Sequence, residues 1–410
     1  MHFRNWARNG KVERREESPL LYNGLRDVVI RRTKMGRYAG RFVVDVHVHG
    51  QRAAVKFSER GIKAPSIGDL YAGVREVTWH DNTARLLYDM DRYGVDVCIL
   101  QSGGLARGMD NDLDIKMAEQ HPDKFAVLCY PTTYLSRVTA GEVKWSIEGA
   151  LAETEERLAT GKYSGIGQGL PITEKGSFGE LWATGETRKQ SESLTDQDVL
   201  NRCRLFMDLA AKYKVAVAGA PQDEKLITRL AAEYPEVPIV LQLIGHGFRA
   251  NTERVRSLCI AIGRSKNVYL EMGLAPAELY EIPLSDPNLG PTRIVFGTDW
   301  GASHYVYSQP GRPIRGESFT SYVDWIGKWG PVRYQTDYYG WSLHQIDKLR
   351  DTLTQDELNL ILGGNAARIF KLDVPYTRLF PEGRVDLWGI EWDQHIPFIP
   401  RDQIKETRDR

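Results

Sequence analysis

The chain has 410 residues, 42% hydrophobic and 26% charged, which is enough apolar material for one large domain or two to three ordinary ones. Lys plus Arg and Asp plus Glu both number 54, so the formal net charge is zero, which argues against a general nucleic-acid or anionic-membrane binder. The four cysteines, Cys98, Cys129, Cys203 and Cys259, form no C-x-x-C pair and so suggest neither a zinc knuckle nor a disulfide framework.

Residues 1–20 are polar and charged with no apolar h-region, so no signal peptide is expected. No apolar run approaches the roughly 18 residues that would span a bilayer. Cys98 and Cys129 lie in apolar strand-like runs and read as buried, inert thiols, and a reducing, cytoplasmic compartment is expected. Residues 1–40 are rich in Arg, Lys and Glu and read as an arm packing on the main domain or on a second subunit.

The run from Phe42 to Val48 is β-branched and apolar and predicts a buried strand. It carries His47 and His49. Side chains at i and i+2 of a strand share a face, so two imidazoles lie side by side at one strand end, a start for a transition-metal site. A chance pairing of two histidines is the bland alternative, and only context decides between them. A long polar connection is expected over 51–78, then a helix from Asn82 to Tyr93 closed by Gly94. Strands follow at 95–100, 125–130, 165–170, 215–218, 239–244, 268–272 and 293–297. Helices are predicted between them at 111–121, 143–160, 197–213, 223–234 and 251–264, with a last helix at 355–370. A polar loop is expected over 171–196. Residues 373–410, with four prolines and two tryptophans, read as an extension wrapping the barrel or a partner.

Eight strands alternating with helices predict an α/β fold, a (β/α)8 TIM barrel with N- and C-terminal extensions. In that fold the active site lies at the C-terminal strand ends. His47 and His49 end the first strand and Asp299 follows the eighth, its neighbour in a closed barrel. Three residues far apart in sequence thus converge on one mouth.

These segments resemble a known group. His47-Val48-His49, Ile244-Gly245-His246-Gly247, Phe296-Gly297-Thr298-Asp299-Trp300 and the closing Gly364-Asn365-Ala366-Ala367-Arg368-Ile369-Phe370, with Met90-Asp91 and Gly94-Val95-Asp96-Val97, resemble the amidohydrolase superfamily over about residues 41–372. The branch they are most similar to holds aminocarboxymuconate-semialdehyde decarboxylase and the aromatic-acid decarboxylases. The resemblance implies one divalent metal, zinc first and manganese or iron as alternatives, with His47, His49 and Asp299 as ligands and His246 as acid/base. One departure stands out. The resemblance implies a further histidine ligand at the end of the fifth strand, but Val217-Ala218-Gly219-Ala220-Pro221-Gln222 has none, and the fourth strand ends in Gln168. The set is then completed by water, substrate or an unusual ligand, or the metal is weakly held or lost.

His246 and Asp299 are the expected catalytic pair, since an imidazole titrates near neutral pH and a carboxylate beside a metal can bind it or orient a proton. A core histidine and a turn-capping aspartate are the bland readings. Further candidates for substrate contact are His80, Arg107, Gln168, Arg249 and His304, with Arg75 as another carboxylate clamp. His2, His121, His344 and His395 read as structural. The function expected is metal-dependent, non-oxidative decarboxylation of an aromatic or unsaturated carboxylic acid. The alternatives are hydrolysis of a lactone or amide, with or without metal, and an inactive barrel that serves as a binding protein. The expected partners are a small carboxylate, lactone or amide and a second copy of the chain, in a homodimer or higher oligomer.

Overall fold

The structure, a computed structural model, describes residues 42–55, 77–81, 83–102, 111–139, 141–173, 194–220, 223–244, 252–273, 275–300 and 338–373. The arm expected over 1–40, and the extension from residue 374 onward, lie outside them.

Eight strands form one parallel sheet: β1 (Val44–Val48), β4 (Val97–Leu100), β5 (Phe125–Cys129), β6 (Gly165–Ile166), β7 (Ala216–Gly219), β8 (Ile239–Leu241), β9 (Val268–Glu271) and β10 (Ile294–Val295). They lie side by side in chain order. The segment after β10 then returns to β1. Val46 N–H donates to the Phe296 carbonyl at 3.0 Å, His49 N–H donates to the Trp300 carbonyl at 2.8 Å, and Val48 and Trp300 form a parallel bridge. The (β/α)8 barrel expected from the alternation of strands and helices is therefore the fold observed. Every residue of β1, β7 and β8 is buried, as strands covered on both faces require.

The helices follow their strands. They are α1 (Thr83–Tyr93), α2 (Asn111–Gln120), α3 (Thr132–Thr139), α4 (Ile147–Ala159), α5 (Asp196–Tyr213), α6 (Glu224–Glu233), α7 (Thr252–Ile262), α8 (Ala277–Ser285) and α9 (Tyr338–Asp347). Local chemistry sets several of their ends. Thr195 and Asp198 form a capping box on α5, and the Asp223 carboxylate caps the first N–H groups of α6. Gly94 and Gly161 end α1 and α4 at φ of 70° and 72°, values a residue with a Cβ rarely adopts. All four cysteines are buried free thiols, and burial pushes each of them upward.

The polar connection read over 51–78 is corrected by the structure. Part of it is an antiparallel pair, β2 (Gln51–Val55) with β3 (Val77–Asp81), which places Arg52 opposite His80. Gln51-Arg52-Ala53-Ala54 carries little strand propensity of its own, and only its pairing with the β-branched and aromatic run of β3 makes it extended.

The chain closes on α10 (Gln355–Asn359), a π turn (Leu360–Gly364) and α11 (Asn365–Phe370). The Asn365 side chain is fully buried and donates to the Pro291 and Ile294 carbonyls, 2.8 Å from each. A Cβ on Gly363 would sit 2.1 Å from the Phe42 carbonyl oxygen. The closing signature thus locks the last helix onto the starts of β1 and β10, a structural role. Asn365→Ala removes both bonds and strands one buried and one half-buried carbonyl. We expect a loss of about 2 kcal/mol of unfolding free energy, read as a shifted urea midpoint at unchanged slope. A midpoint equal to that of the wild type would refute this role.

Candidate metal centre

Parallel β1 delivers His47 and His49 at positions i and i+2, with ring centroids 5.1 Å apart and planes at 77°. Asp299 follows β10 at φ 55°, a left-handed backbone that aspartate tolerates better than most side chains but at a cost. Its Oδ1 sits 3.2 Å from His47 Nε2 and 3.0 Å from His49 Nε2. All three residues are buried, at 0%, 1% and 3% exposure for His47, His49 and Asp299. One donor atom from each lies within 4.8 Å of the other two, a group that could hold a metal ion.

The groups behind the imidazoles decide which nitrogen faces the centre. His49 Nδ1 lies 2.9 Å from the Gln101 carbonyl, which can only accept, so Nδ1 carries a proton and Nε2 presents its lone pair inward. His47 Nδ1 lies 3.0 Å from Glu271 Oε2 on β9. The Leu243 N–H, just past β8, donates to the same carboxylate oxygen at 2.9 Å. Both rings therefore aim Nε2 at one point, where the third donor is a carboxylate oxygen. Two imidazoles and a carboxylate fit zinc, manganese or iron.

Gln168, two residues past β6, places its amide nitrogen 2.9 Å from His47 Nε2. The amide thus borders the cluster. Asp45, on β1, lies behind the pair. Its Oδ1 accepts the N–H groups of His47 and Thr298, each at 3.0 Å, and its Oδ2 accepts the Thr298 hydroxyl at 2.5 Å. Burial pushes the Asp45 carboxyl up to about 7, against the pull of the Thr298 and His47 hydrogen bonds. For His47, burial disfavours the charged ring, but the carboxylates of Asp299 and Glu271 outweigh it and raise its affinity for a proton above the ordinary value.

Of the residues named from the sequence, the structure brings together His47, His49, Asp299 and Gln168. His80 stands on β3. His246, Arg107, Arg249 and His304, and Arg75, lie outside the described residues. Sequence reasoning missed Glu271, Asp45 and the Gln101 carbonyl. The signal for Glu271 was an acidic residue ending an otherwise apolar strand, Val268-Tyr269-Leu270-Glu271. No signal marks a backbone carbonyl.

No family model matches the chain, and no curated protein sequence matches it. Comparison with solved structures returns barrels at low identity. One is 2,6-dihydroxybenzoate decarboxylase complexed with 2,6-dihydroxybenzoate, at 14% identity over 81% of this chain and 100% of that one, with a TM-score of 0.46. An amidohydrolase from Burkholderia multivorans with bound zinc matches at 14% identity over 81% and 100% of the two chains, TM-score 0.43. A 4-oxalomesaconate hydratase from Rhodopseudomonas palustris matches at 14% identity over 80% and 96%, TM-score 0.45. What each of those proteins binds is its own property.

Proposed function

We propose that the chain is a metal-dependent enzyme of the amidohydrolase type that removes carbon dioxide from an aromatic or unsaturated carboxylic acid. The observation that carries this reading is the buried His47–His49–Asp299 cluster, with both imidazoles held from behind so that their Nε2 atoms converge with Asp299 Oδ1. Among the described residues no helix is long and apolar enough to cross a membrane.

His47, His49 and Asp299 would hold the cation, which when bound would polarise a substrate oxygen adjacent to the carboxylate and stabilise the charge that develops there. The protein supplies the rest. Asp299, through the carboxylate oxygen not shared with the two imidazoles, delivers a proton to the carbon bearing the carboxylate. The bond from that carbon to the carboxylate then breaks, its electron pair stays with the carbon skeleton, and carbon dioxide leaves. The family resemblance implies His246 as an alternative acid.

The test is elemental analysis of the purified full chain, followed by carbon dioxide release from a panel of hydroxylated benzoates and unsaturated carboxylates with added zinc or manganese. A lactone and amide panel is run beside it. We expect about one transition metal per chain, as a single-centre site requires, and turnover confined to the carboxylates. Turnover of lactones or amides alone overturns decarboxylation and leaves hydrolysis. Absence of metal and of turnover overturns the enzyme reading.

A further inference from the structure

We infer that Glu271 is a positioning residue for this centre: its carboxylate fixes His47 in the orientation and tautomer that let the site take a cation. The inference rests on the metal-centre reading above and names a residue outside the donor set.

Three observations carry it. Glu271 has no solvent exposure, yet it is a charged side chain inside the barrel. A buried carboxylate is costly unless strong donors compensate it, and here His47 Nδ1 and the Leu243 N–H both engage Oε2. Leu243 donates from a left-handed backbone, φ 59°, that a leucine rarely adopts, so the turn after β8 is held in a strained shape with its N–H on this oxygen.

Second, the space for the carboxylate is kept open by glycine. A Cβ on Gly273 would lie 1.8 Å from Glu271 Oε1, and one on Gly297 would lie 2.5 Å from its Cγ. Two chain segments thus forgo side chains where they flank this one residue. Third, Oε1 is buried with no hydrogen-bond partner among the described residues. Both bonds fall on Oε2, so the carboxylate's role is concentrated on His47 and the turn that holds it.

A carboxylate on Nδ1 keeps the proton there, leaves the Nε2 lone pair toward Asp299 and raises the ring's basicity as a ligand. Without it the proton can sit on Nε2, where it excludes a cation.

The experiment uses the full chain and zinc alone, titrated in competition with a chromophoric chelator, for wild type, Glu271→Gln and Gly273→Ala. Histidine ring-nitrogen NMR of each is recorded without metal. Glu271→Gln keeps the shape and removes the charge. Gly273→Ala keeps the charge and displaces the carboxylate. Both are expected to weaken zinc binding by about 10- to 100-fold, the usual cost of losing such a partner. Both are also expected to shift the His47 ring-nitrogen signals from the Nδ1–H pattern, and either variant alone decides the matter if the other does not fold. Zinc affinity within twofold of wild type together with unchanged His47 signals overturns the proposal, even where thermal stability falls. If the wild type takes up no zinc, the metal centre fails, while the ring-nitrogen comparison still decides whether Glu271 orients His47.

Discussion

Replacing His47 and His49 together by alanine is expected to empty the centre and end turnover. The double variant removes two of the three donor atoms that converge within 4.8 Å, leaving Asp299 alone. A single buried carboxylate cannot replace the desolvation energy of a divalent cation, so we expect a loss of at least about 4 kcal/mol in zinc binding, roughly a thousandfold in Kd. The measurement is zinc per folded chain after dialysis, with turnover of the best carboxylate. The two histidines also have different structural costs. His47→Ala strips the Glu271 carboxylate of one of its two donors and leaves a buried charge poorly compensated, so it is expected to destabilise the barrel as well. His49→Ala strips the Gln101 carbonyl of its donor but leaves the buried Glu271 carboxylate compensated, and is expected to lose metal with the milder loss of stability. Urea unfolding beside the zinc measurement separates the effects. A double variant that retains zinc at the level of the wild type would place any metal elsewhere and remove the basis of the proposed chemistry.

Much of this centre was legible because its residues obey strand periodicity. His47 and His49 sit at i and i+2 of a run that can only be a buried strand, and Asp299 follows the strand that closes the ring, so topology alone put them together. Their second partners were not legible. Glu271 lies 224 positions from His47, and nothing local in either segment specifies the pairing. The fourth strand shows a different limit. Its sequence, Gly165-Ile166-Gly167, was read as part of a six-residue strand, but the ladder covers only Gly165–Ile166. The glycines are there because the next strand presses on them: a Cβ on Gly165 would meet the Ala216 carbonyl oxygen at 2.8 Å, and one on Gly167 the Ala218 carbonyl oxygen at 2.9 Å. Helix α3 escaped the reading because it starts directly after Pro131 and ends on Val138-Thr139, β-branched residues with weak helix preference. The hairpin of β2 and β3 escaped because one of its strands is extended only through its partner. Asn365 is the converse case. It belongs to a signature that served recognition, yet its amide donates to backbone carbonyls at the start of β10 rather than to the donor atoms.

Asp45→Ala is expected to be the most destabilising single change near the site, because this carboxylate ties the first strand to the last. It accepts the N–H of His47 at 3.0 Å, the N–H of Thr298 at 3.0 Å and the Thr298 hydroxyl at 2.5 Å, and the hydroxyl oxygen in turn accepts the Trp300 N–H at 3.1 Å. Removing the carboxylate strands three buried donors, each costing about 1–3 kcal/mol, while relief from burying a charge returns part of the loss. We expect a net cost of about 3 kcal/mol at neutral pH, measured by urea unfolding of metal-free protein. Asp45→Asn, which still offers one oxygen to the two backbone groups, should cost less. Asp45→Ala within about 0.5 kcal/mol of wild type, the range of an unremarkable surface substitution, would show that barrel closure does not depend on this residue. The pH dependence gives an independent check. Burial raises the Asp45 carboxyl from 3.8 to about 7, so the folded state holds this proton more tightly than the unfolded chain. The stability this contributes is complete below pH 3.8 and is lost as pH rises through about 7. Asparagine does not titrate. The stability of wild type relative to Asp45→Asn is therefore expected to fall between pH 5 and pH 7.5, the interval that brackets the upper end of that shift, and to level off above it. A difference that grows with pH over this interval would mean that the hydrogen bonds to His47 and Thr298 outweigh burial and hold the carboxylate ionised.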